Sequence, residues 1–175
     1  MRVGAVNELS VFLKVKPGHE KQIREVYVAQ RANYANLLKI LQDVGAFHEG
    51  RNVLFDNDTR LFIGTSFDAP FDTYIDDFAP AVLPGWDKFL VHCEGYPDAD
   101  SGSYPRLTVD EVKEYLIAHQ ETAASFIGLY MDLTAEEILR GDRVNKAFQQ
   151  VLDHPDARRA LEHPALKPLL ELAAE

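Results

Sequence analysis

The feature that most constrains the fold is a short N-terminal segment in which apolar residues alternate with other residues. Between Glu8 and Lys16, every second position is apolar: Leu9, Val11, Leu13 and Val15. A period of two places these side chains on one face, which predicts a β-strand with one well-buried face. Pro17-Gly18 follows with the residue types of a turn and ends the predicted strand.

The next segment changes to helical spacing. Apolar residues from about His19 recur on one side of a helix, and this pattern predicts a single long helix that ends at Gly45. Two short strands, 51–55 and 60–67, then flank the turn sequence Asp56-Asn57-Asp58. The strands are predicted to form a hairpin.

Helices dominate the prediction for the middle of the chain. Asp68 is predicted to cap a short helix, which Pro80, Pro84 and Gly85 break up. Thr108 is predicted to cap the following helix.

The C-terminal part begins with a segment predicted to be the last strand. The run 123–131 is apolar and aromatic and predicts a fourth strand. Helical patterns follow from Thr134 and after Pro155, and we detect no internal repeat.

The resulting order is β-α-β-β-α-(α)-β-α-α. It predicts an α+β fold with a ferredoxin-like, four-stranded antiparallel sheet, an inserted helix and C-terminal helices. Residues 1–175 are predicted to form one domain, with a core over 1–132 and a helical extension over 133–175. One face of such a sheet needs a cover, which predicts either a homodimer or a covering role for the C-terminal helices.

Composition limits the possible partners and the compartment. The 175 residues carry a formal net charge of −10, with no dense basic stretch, so we expect neither nucleic acid nor an anionic membrane as a partner. Asn7 and Glu8 interrupt the first apolar run, which argues against a signal peptide. With Cys93 as the single cysteine, the sequence favours a cytoplasmic protein.

The element order over about 7–132 resembles the dimeric α+β barrel superfamily, which includes small monooxygenases, haem-degrading enzymes, lactone isomerases and polyketide cyclases. The segment His92-Cys93-Glu94-Gly95-Tyr96-Pro97, followed by Ala118-His119-Gln120, resembles a pattern in uncharacterised bacterial proteins. Asn7 stands where haem-degrading monooxygenases keep an asparagine. Their pattern also has a tryptophan and a histidine on the second helix, whereas Trp86 and His92 lie beyond that predicted helix.

Five residues are candidates for chemistry: His48, His92, Cys93, Tyr96 and His119. The histidines stand at the ends of predicted elements, where an imidazole can act as a general base or simply cap an element. Cys93 is either a thiol nucleophile or a small buried apolar residue. Adjacent residues on an extended segment point to opposite sides, so His92 and Cys93 are not expected to pair with each other. Gly95 predicts a sharp turn that holds Tyr96 in a fixed pose.

Metal and aromatic ligand sites are weaker alternatives. The three histidines and Glu94 lack the tight spacing of a dedicated metal site. Turn chemistry and a solvated helix face account for the acidic clusters Asp56/Asp58 and Asp76/Asp77. An aromatic ligand pocket, or ordinary core packing, would use the remaining aromatic candidates together with Tyr96: Tyr104, Tyr130, Phe126 and Trp86.

Two functional hypotheses follow from these patterns. In the first, a small-molecule enzyme or ligand-handling protein has its pocket between the sheet and the first two helices. Its reaction would be proton transfer or cofactor-free oxidation of an aromatic or carbonyl-containing substrate. In the second, the protein is a non-enzymatic interaction or accessory protein. The residues assign no cofactor and no metal.

Overall fold

The computed structural model describes residues 6–98 and 107–173. Within them the chain is α+β, with a three-stranded sheet and seven helices. The strands are β1 Val6–Lys14, β2 Phe47–Phe55 and β3 Arg60–Asp68. The helices are α1 Glu20–Ala32, α2 Tyr34–Val44, α3 Phe71–Leu90, α4 Val109–Ala118, α5 Ala135–Leu152, α6 Arg158–Leu161 and α7 Lys167–Ala173. Pro155–Ala157 and Pro164–Leu166 are short 3-10 turns.

The sheet is antiparallel, with strand order β1-β3-β2. The predicted hairpin is confirmed, since β2 and β3 pair on either side of Asp56-Asn57-Asp58. All three turn residues have positive φ angles, between 53° and 65°. Asp and Asn tolerate this left-handed region better than most residues, so the turn chemistry identified the hairpin correctly.

The predicted four-stranded, ferredoxin-like sheet is wrong, because segment 119–131 does not form a strand. It lies along the outer edge of β1 through scattered bonds only: Phe12 N donates to His119 O at 3.0 Å, Glu121 N to Ser10 O at 2.9 Å, and Val6 N to Met131 O at 3.3 Å. Ile127 and Leu129 in this segment are 89% and 91% exposed. Because these side chains face solvent, the segment would bury no apolar surface by pairing as a regular strand. The prediction relied on apolar composition, which does not show whether a side chain is buried.

Two helix predictions also differ from the structure. The single helix predicted after His19 is divided at Asn33 into α1 and α2. The short helix predicted after Asp68 instead continues as α3 through Pro80 and Pro84, both of which are exposed. On the exposed face, water can satisfy the carbonyl groups that proline leaves without their helical donors, so the helix continues.

Helices α1 to α4 bury one face of the sheet, and we call the opposite face, on which Glu49, Arg51 and Val53 are exposed, the uncovered face. The apolar residues of β1 that alternate are all buried, as the sequence predicted. In the same core, the rings of Phe67, Tyr74, Phe78 and Trp86 form a continuous series with centroid distances of 4.0, 4.8 and 5.5 Å. The space predicted to hold a ligand, between sheet and helices, is therefore largely filled by core side chains.

The chain divides into two compact units between Ala135 and Glu136. The second unit contains a nine-residue repeat that the sequence analysis did not detect: HPDARRALE at 154–162 and HPALKPLLE at 163–171. In each copy the histidine Nδ1 accepts a hydrogen bond from the backbone N–H two residues later, at 3.2 Å. His154 and His163 thus begin their short helical turns in the same way.

None of the helices in the described part of the chain is long and apolar enough to span a bilayer.

Candidate functional site

Four of the five predicted site residues lie along the outer edge of β1, and we call them the β1-edge cluster: His92, Cys93, Tyr96 and His119. The backbone beyond β1 positions the first two, because Lys16 N donates to His92 O at 2.8 Å and Glu94 N donates to Lys14 O at 2.9 Å. The bond between Phe12 N and His119 O positions the fourth residue. These residues therefore complete the sheet where a regular fourth strand is missing.

Cys93 is fully buried, with its Sγ 3.8 Å from the carbonyl oxygen of Phe89. Burial raises the pKa of the Cys93 thiol to about 12, and the positive charge of Lys16 offsets this only in part. A thiol with this pKa stays protonated near neutral pH, whereas a nucleophile must be a thiolate. Cys93 consequently fits the apolar core role that the sequence analysis left open.

Tyr96 is held by a buried hydrogen bond. Its hydroxyl donates to Asp87 Oδ1 at 2.7 Å, and neither residue is more than 3% exposed. Gly95 has a φ of +77°, which confirms the predicted turn. Lys16 Nζ donates to the carbonyl oxygens of Val91 and Tyr96, each at 2.9 Å, and so fixes both ends of the turn. Tyr96 anchors this segment to the core.

The two histidines of the β1-edge cluster also make internal bonds. His119 Nδ1 lies 2.8 Å from the carbonyl oxygen of Tyr115, so this nitrogen must carry the proton that is donated. His92 Nδ1 lies 3.0 Å from Nδ1 of His19, and one of the two rings donates to the other. Both contacts connect neighbouring segments of the fold.

His48 lies elsewhere, at the end of the sheet where β2 begins. The pairing of β2 with β3 shifts between Phe47, opposite Phe67, and Glu49, opposite Ser66. His48 is therefore the extra residue of a β-bulge, a distortion that re-aims a side chain. Its Nε2 lies 2.7 Å from Oδ1 of Asp68, the last residue of β3.

Asp68 holds His48 with a carboxylate that is itself fixed at both oxygens. Oδ1 contacts the imidazole, while Oδ2 accepts a hydrogen bond from the backbone N–H of Ala135 at 2.8 Å. Asp68 was predicted to cap the helix that follows it, but α3 begins after Pro70 without a side-chain cap, and Asp68 binds the start of α5 instead. Sequence spacing could not reveal this partner, because Ala135 is distant in the chain.

The backbone beside Asp68 is strained. Ala69 has a φ of +69°, in the left-handed region that costs an L-residue about 1 kcal/mol or more. The side chain of Asn7 donates to Ala69 O at 2.7 Å and holds this conformation. The asparagine that prompted the comparison with haem-degrading enzymes therefore has a structural bond here.

The second ring nitrogen of His48 is open. Among residues 6–98 and 107–173, none makes a hydrogen bond to Nδ1, and Nδ1 is not one of their buried polar atoms without a partner. The His48 side chain as a whole is 12% exposed. A carboxylate accepts only from Nε2–H, so in the neutral imidazole Nδ1 is the nitrogen that can accept a proton.

A depression of about 130 Å³ lies on the uncovered face of the sheet, and its lining includes Glu49, the residue that follows His48. The bulge turns Glu49 onto the same face as Ser66, and both line the depression. Ser66 and Asp68 are two residues apart on one face of β3, which is about 7 Å along a strand. The lining residues include Glu8, Ser10, Glu49, Arg51, Phe62, Gly64, Ser66 and Phe126.

Charge and shape in the depression are set by a few contacts. The guanidinium of Arg51 lies 5.6 Å from the centre of the Phe62 ring. A Cβ on Gly64 would lie 2.6 Å from a carbon of that ring, so the ring can hold this position only beside a glycine. Glu8 is used by the fold, since its two oxygens accept from Ser10 Oγ at 2.8 Å and from Ala123 N at 3.2 Å.

The structure does not gather the five predicted residues around one pocket. None of the three depressions we describe (on the sheet face, at β2 with α1, and among α1, α2 and α3) is lined by any of them. Sequence reasoning missed Ser66 and Arg51, and it gave Asp68 a different role. The period-two alternation of side chains along β2 and β3 was the sequence signal that could have placed Arg51 and Ser66 on one face. The bulge interrupts this alternation at His48.

The metal and aromatic alternatives find little support. Within the described ranges, no group of three or more His, Cys, Asp and Glu residues is arranged to hold a metal ion. Asp58 is paired with Arg24, whose hydrogen bonds lower the pKa of this carboxyl. Trp86 packs in the core, Phe126 lines the sheet-face depression, and Tyr130 is 58% exposed. Tyr104 lies outside the described residues.

Comparison with protein-family models, with curated proteins and with solved structures found no match. The proposal below therefore rests on the geometry of the sheet and its side chains.

Proposed function

We propose that this protein binds a small carbonyl-containing or aromatic compound on the uncovered face of its sheet and transfers a proton on it. His48 is the proposed base. The single observation that carries the proposal is the pair formed by His48 and Asp68, because it fixes one ring nitrogen and leaves the other open. A general base needs a third group that orients it and a ring nitrogen that the fold does not use, and this pair meets both requirements.

The depression supports the choice of ligand. The rings of Phe62 and Phe126 offer apolar contact to an aromatic ligand, and the exposed guanidinium of Arg51 can bind a carbonyl or carboxylate oxygen. Ser66 lines the depression and is about 7 Å from Asp68 along β3. A ligand that contacts Ser66 is therefore a similar distance from the pair formed by His48 and Asp68. The ligand would extend from Arg51 past Ser66 towards His48.

The proposed step is the removal of a proton from a carbon next to a carbonyl group. Nδ1 of His48 takes the proton, the C–H electron pair forms the C=C bond of an enolate, and the carbonyl π electrons move to oxygen. Asp68 stabilises the imidazolium through Nε2–H, and Arg51, which lines the depression, stabilises the enolate oxygen in the proposed pose. With a β,γ-unsaturated carbonyl substrate the enolate is a dienolate, and return of the proton to its γ-carbon completes an isomerisation that needs no oxidant.

A probe that reports proton removal alone tests the base. The compound 5-nitrobenzisoxazole opens to a coloured phenolate when it loses one ring proton, so absorbance follows the step directly. We expect His48→Gln to lower the rate at least about tenfold, since general bases contribute about 10²–10⁴-fold. The matched control His119→Gln should keep the wild-type rate. Equal rates for wild type and His48→Gln would contradict the proposal.

Ligand position is tested separately by NMR. Titration with acetophenone and with benzoate, as carbonyl and carboxylate probes, should shift the backbone amides of 49–51 and 64–66. Shifts confined to the depression among α1, α2 and α3, which is about 370 Å³, would move the ligand site there and leave His48 without a substrate.

We also propose that the protein is a homodimer. The supporting observation is exposed apolar surface in the first compact unit: Phe12, Val53, Ile127 and Leu129 are 45%, 43%, 89% and 91% exposed. Apolar patches of this kind mark interaction sites, and they also support the accessory-protein alternative. Native mass spectrometry should report two copies of the chain, and a single copy at tens of micromolar protein would contradict the homodimer.

A further inference from the structure

The two edges of the sheet differ in their backbone hydrogen bonds. Segments 92–94 and 119–121 hydrogen-bond to the outer edge of β1. The outer edge of β2 has no backbone partner among the described residues, and the five residues 49–53 are all exposed. A nine-residue edge strand with free N–H and C=O groups is a ready site for pairing with another strand.

The register identifies which backbone groups point outwards. Val15 N donates to Thr59 O, and these two residues continue the β1–β3 register by one pair. Because hydrogen-bonded pairs recur at every second residue, the odd-numbered residues of β3 are the ones that bond to β1. Hydrogen-bonded pairs alternate in an antiparallel sheet, so the even-numbered residues of β3 bond to β2. Through the β2–β3 register, Arg51 and Val53 point inwards, while Gly50 and Asn52 direct their N–H and C=O groups to the free edge.

We propose that β2 pairs antiparallel with β2 of a second copy, on a two-fold axis at Gly50. This inference rests on the homodimer proposed above and places a contact at the β2 edge, on which Val53 is the one exposed apolar residue of the four given there. The sequence around Gly50 is Glu49-Gly50-Arg51, with opposite charges on either side of the axis. Pairing about Gly50 places each Glu49 opposite Arg51 of the other copy, twice in the dimer.

The charges select this register over its neighbours. A two-fold axis at Glu49 would place the two Glu49 carboxylates opposite each other, and an axis at Arg51 would do the same with the two guanidinium groups. Like charges directly opposite destabilise a strand pair. The Glu49–Arg51 pairs are also the non-hydrogen-bonded pairs of the new ladder, in which side chains lie closest. A foreign peptide would not need this symmetry, and a second copy of the chain supplies it.

Pairing joins two three-stranded sheets into one sheet of six strands. Glu49 and Arg51 both line the sheet-face depression, so the second copy brings its Arg51 to the rim beside Glu49. Each proposed ligand site thereby gains a second cation from the other copy.

Charge reversal with rescue tests the contact. Glu49→Arg places Arg opposite Arg in both pairs, and we expect the dimer dissociation constant, measured by analytical ultracentrifugation, to rise about 10- to 100-fold. The double variant Glu49→Arg/Arg51→Glu restores opposite charges and should recover most of the wild-type value. Glu114→Arg, an exposed charge reversal on α4, is the control and should leave the constant unchanged.

Asn52→Pro tests the backbone contribution. The N–H of Asn52 points outwards, so proline there removes an edge donor without removing a β2–β3 bond. We expect a folded monomer, verified by circular dichroism and by a cooperative urea transition. A wild-type monomer would overturn both the homodimer and the edge pairing. A dimer that persists in Glu49→Arg and Asn52→Pro would overturn the edge pairing alone.

Discussion

His119 and His48 occupy comparable positions in the sequence, each at the end of an element, but the fold uses them differently. His119 gives its Nδ1–H to the carbonyl oxygen of Tyr115, in a cluster whose other side chains bind neighbouring residues of the fold. His48, moved out of register by a bulge, binds Asp68 through Nε2 and leaves Nδ1 open. A histidine at an element end becomes a candidate base only when its second nitrogen is not needed by the fold.

The β1-edge cluster should therefore respond to mutation through stability. Tyr96→Ala removes a buried ring and leaves Asp87 without the hydroxyl donor, so we expect the free energy of unfolding to fall by about 3–5 kcal/mol. Urea denaturation followed by Trp86 fluorescence measures the change. Tyr34→Ala, at a tyrosine 63% exposed, is the matched control and should change stability by less than about 0.5 kcal/mol. Similar losses in the two variants would remove the structural role of the cluster.

The Asp68 pair should combine a smaller loss of stability with a loss of proton transfer. Asp68→Ala leaves the backbone N–H of Ala135 without its acceptor, and we expect a loss of about 1.5–3 kcal/mol in the same assay. The rate with 5-nitrobenzisoxazole should fall as well, because His48 loses its orienting group. Asp77→Ala, at an exposed acid of α3, should affect neither measurement. An unchanged rate in folded Asp68→Ala would show that the carboxylate does not support a base.

Burial of Cys93 predicts a pH dependence. Its pKa rises from 9.0 to about 12 on folding, so above pH 9 the unfolded chain loses a proton that the folded chain keeps. Stability from this group should fall between about pH 9 and 12, by at most about 1.4 kcal/mol per pH unit. Burial also raises the pKa values of Tyr27, Tyr74 and Tyr115, which act in the same direction. Cys93→Ala should therefore reduce, without abolishing, the fall in unfolding free energy between pH 8 and 10.

The smallest expected effect concerns the strained residue beside Asp68. Glycine adopts positive φ at no steric cost, so Ala69→Gly should change the free energy of unfolding by less than about 1 kcal/mol, with relief of strain offsetting the added freedom of the unfolded chain. Ala69→Val should lose clearly more, because a β-branched side chain is disfavoured there. Equal stability of Ala69→Gly and Ala69→Val would contradict the left-handed conformation.

Local patterns predicted much of the fold. The alternation of β1, the Asp56-Asn57-Asp58 turn and the capping box of α4, in which Thr108 Oγ1 accepts from Glu111 N at 3.3 Å, are all present in the structure. Each depends on residues close together in the chain. Segment 123–131 was misinterpreted because its apolar side chains are not buried, and the sequence alone did not report that.

The candidate site was less accessible to sequence reasoning. His48 was among the predicted residues, but its partner Asp68 and the contact of Asp68 with Ala135 depend on long-range packing. The bulge that aims His48 is a one-residue shift in pairing, and a period-two pattern cannot locate it. Sequence therefore proposed the base, and only the fold separated it from His92 and His119.

The tautomers of the histidines test the account most directly. Long-range ¹⁵N–¹H NMR correlations distinguish a proton on Nδ1 from one on Nε2. We predict the Nε2–H form for His48, bound to Asp68, and the Nδ1–H form for His119, bound to the carbonyl of Tyr115. An Nδ1–H form for His48, or the same tautomer for both rings, would contradict the claim that His48 carries an open base.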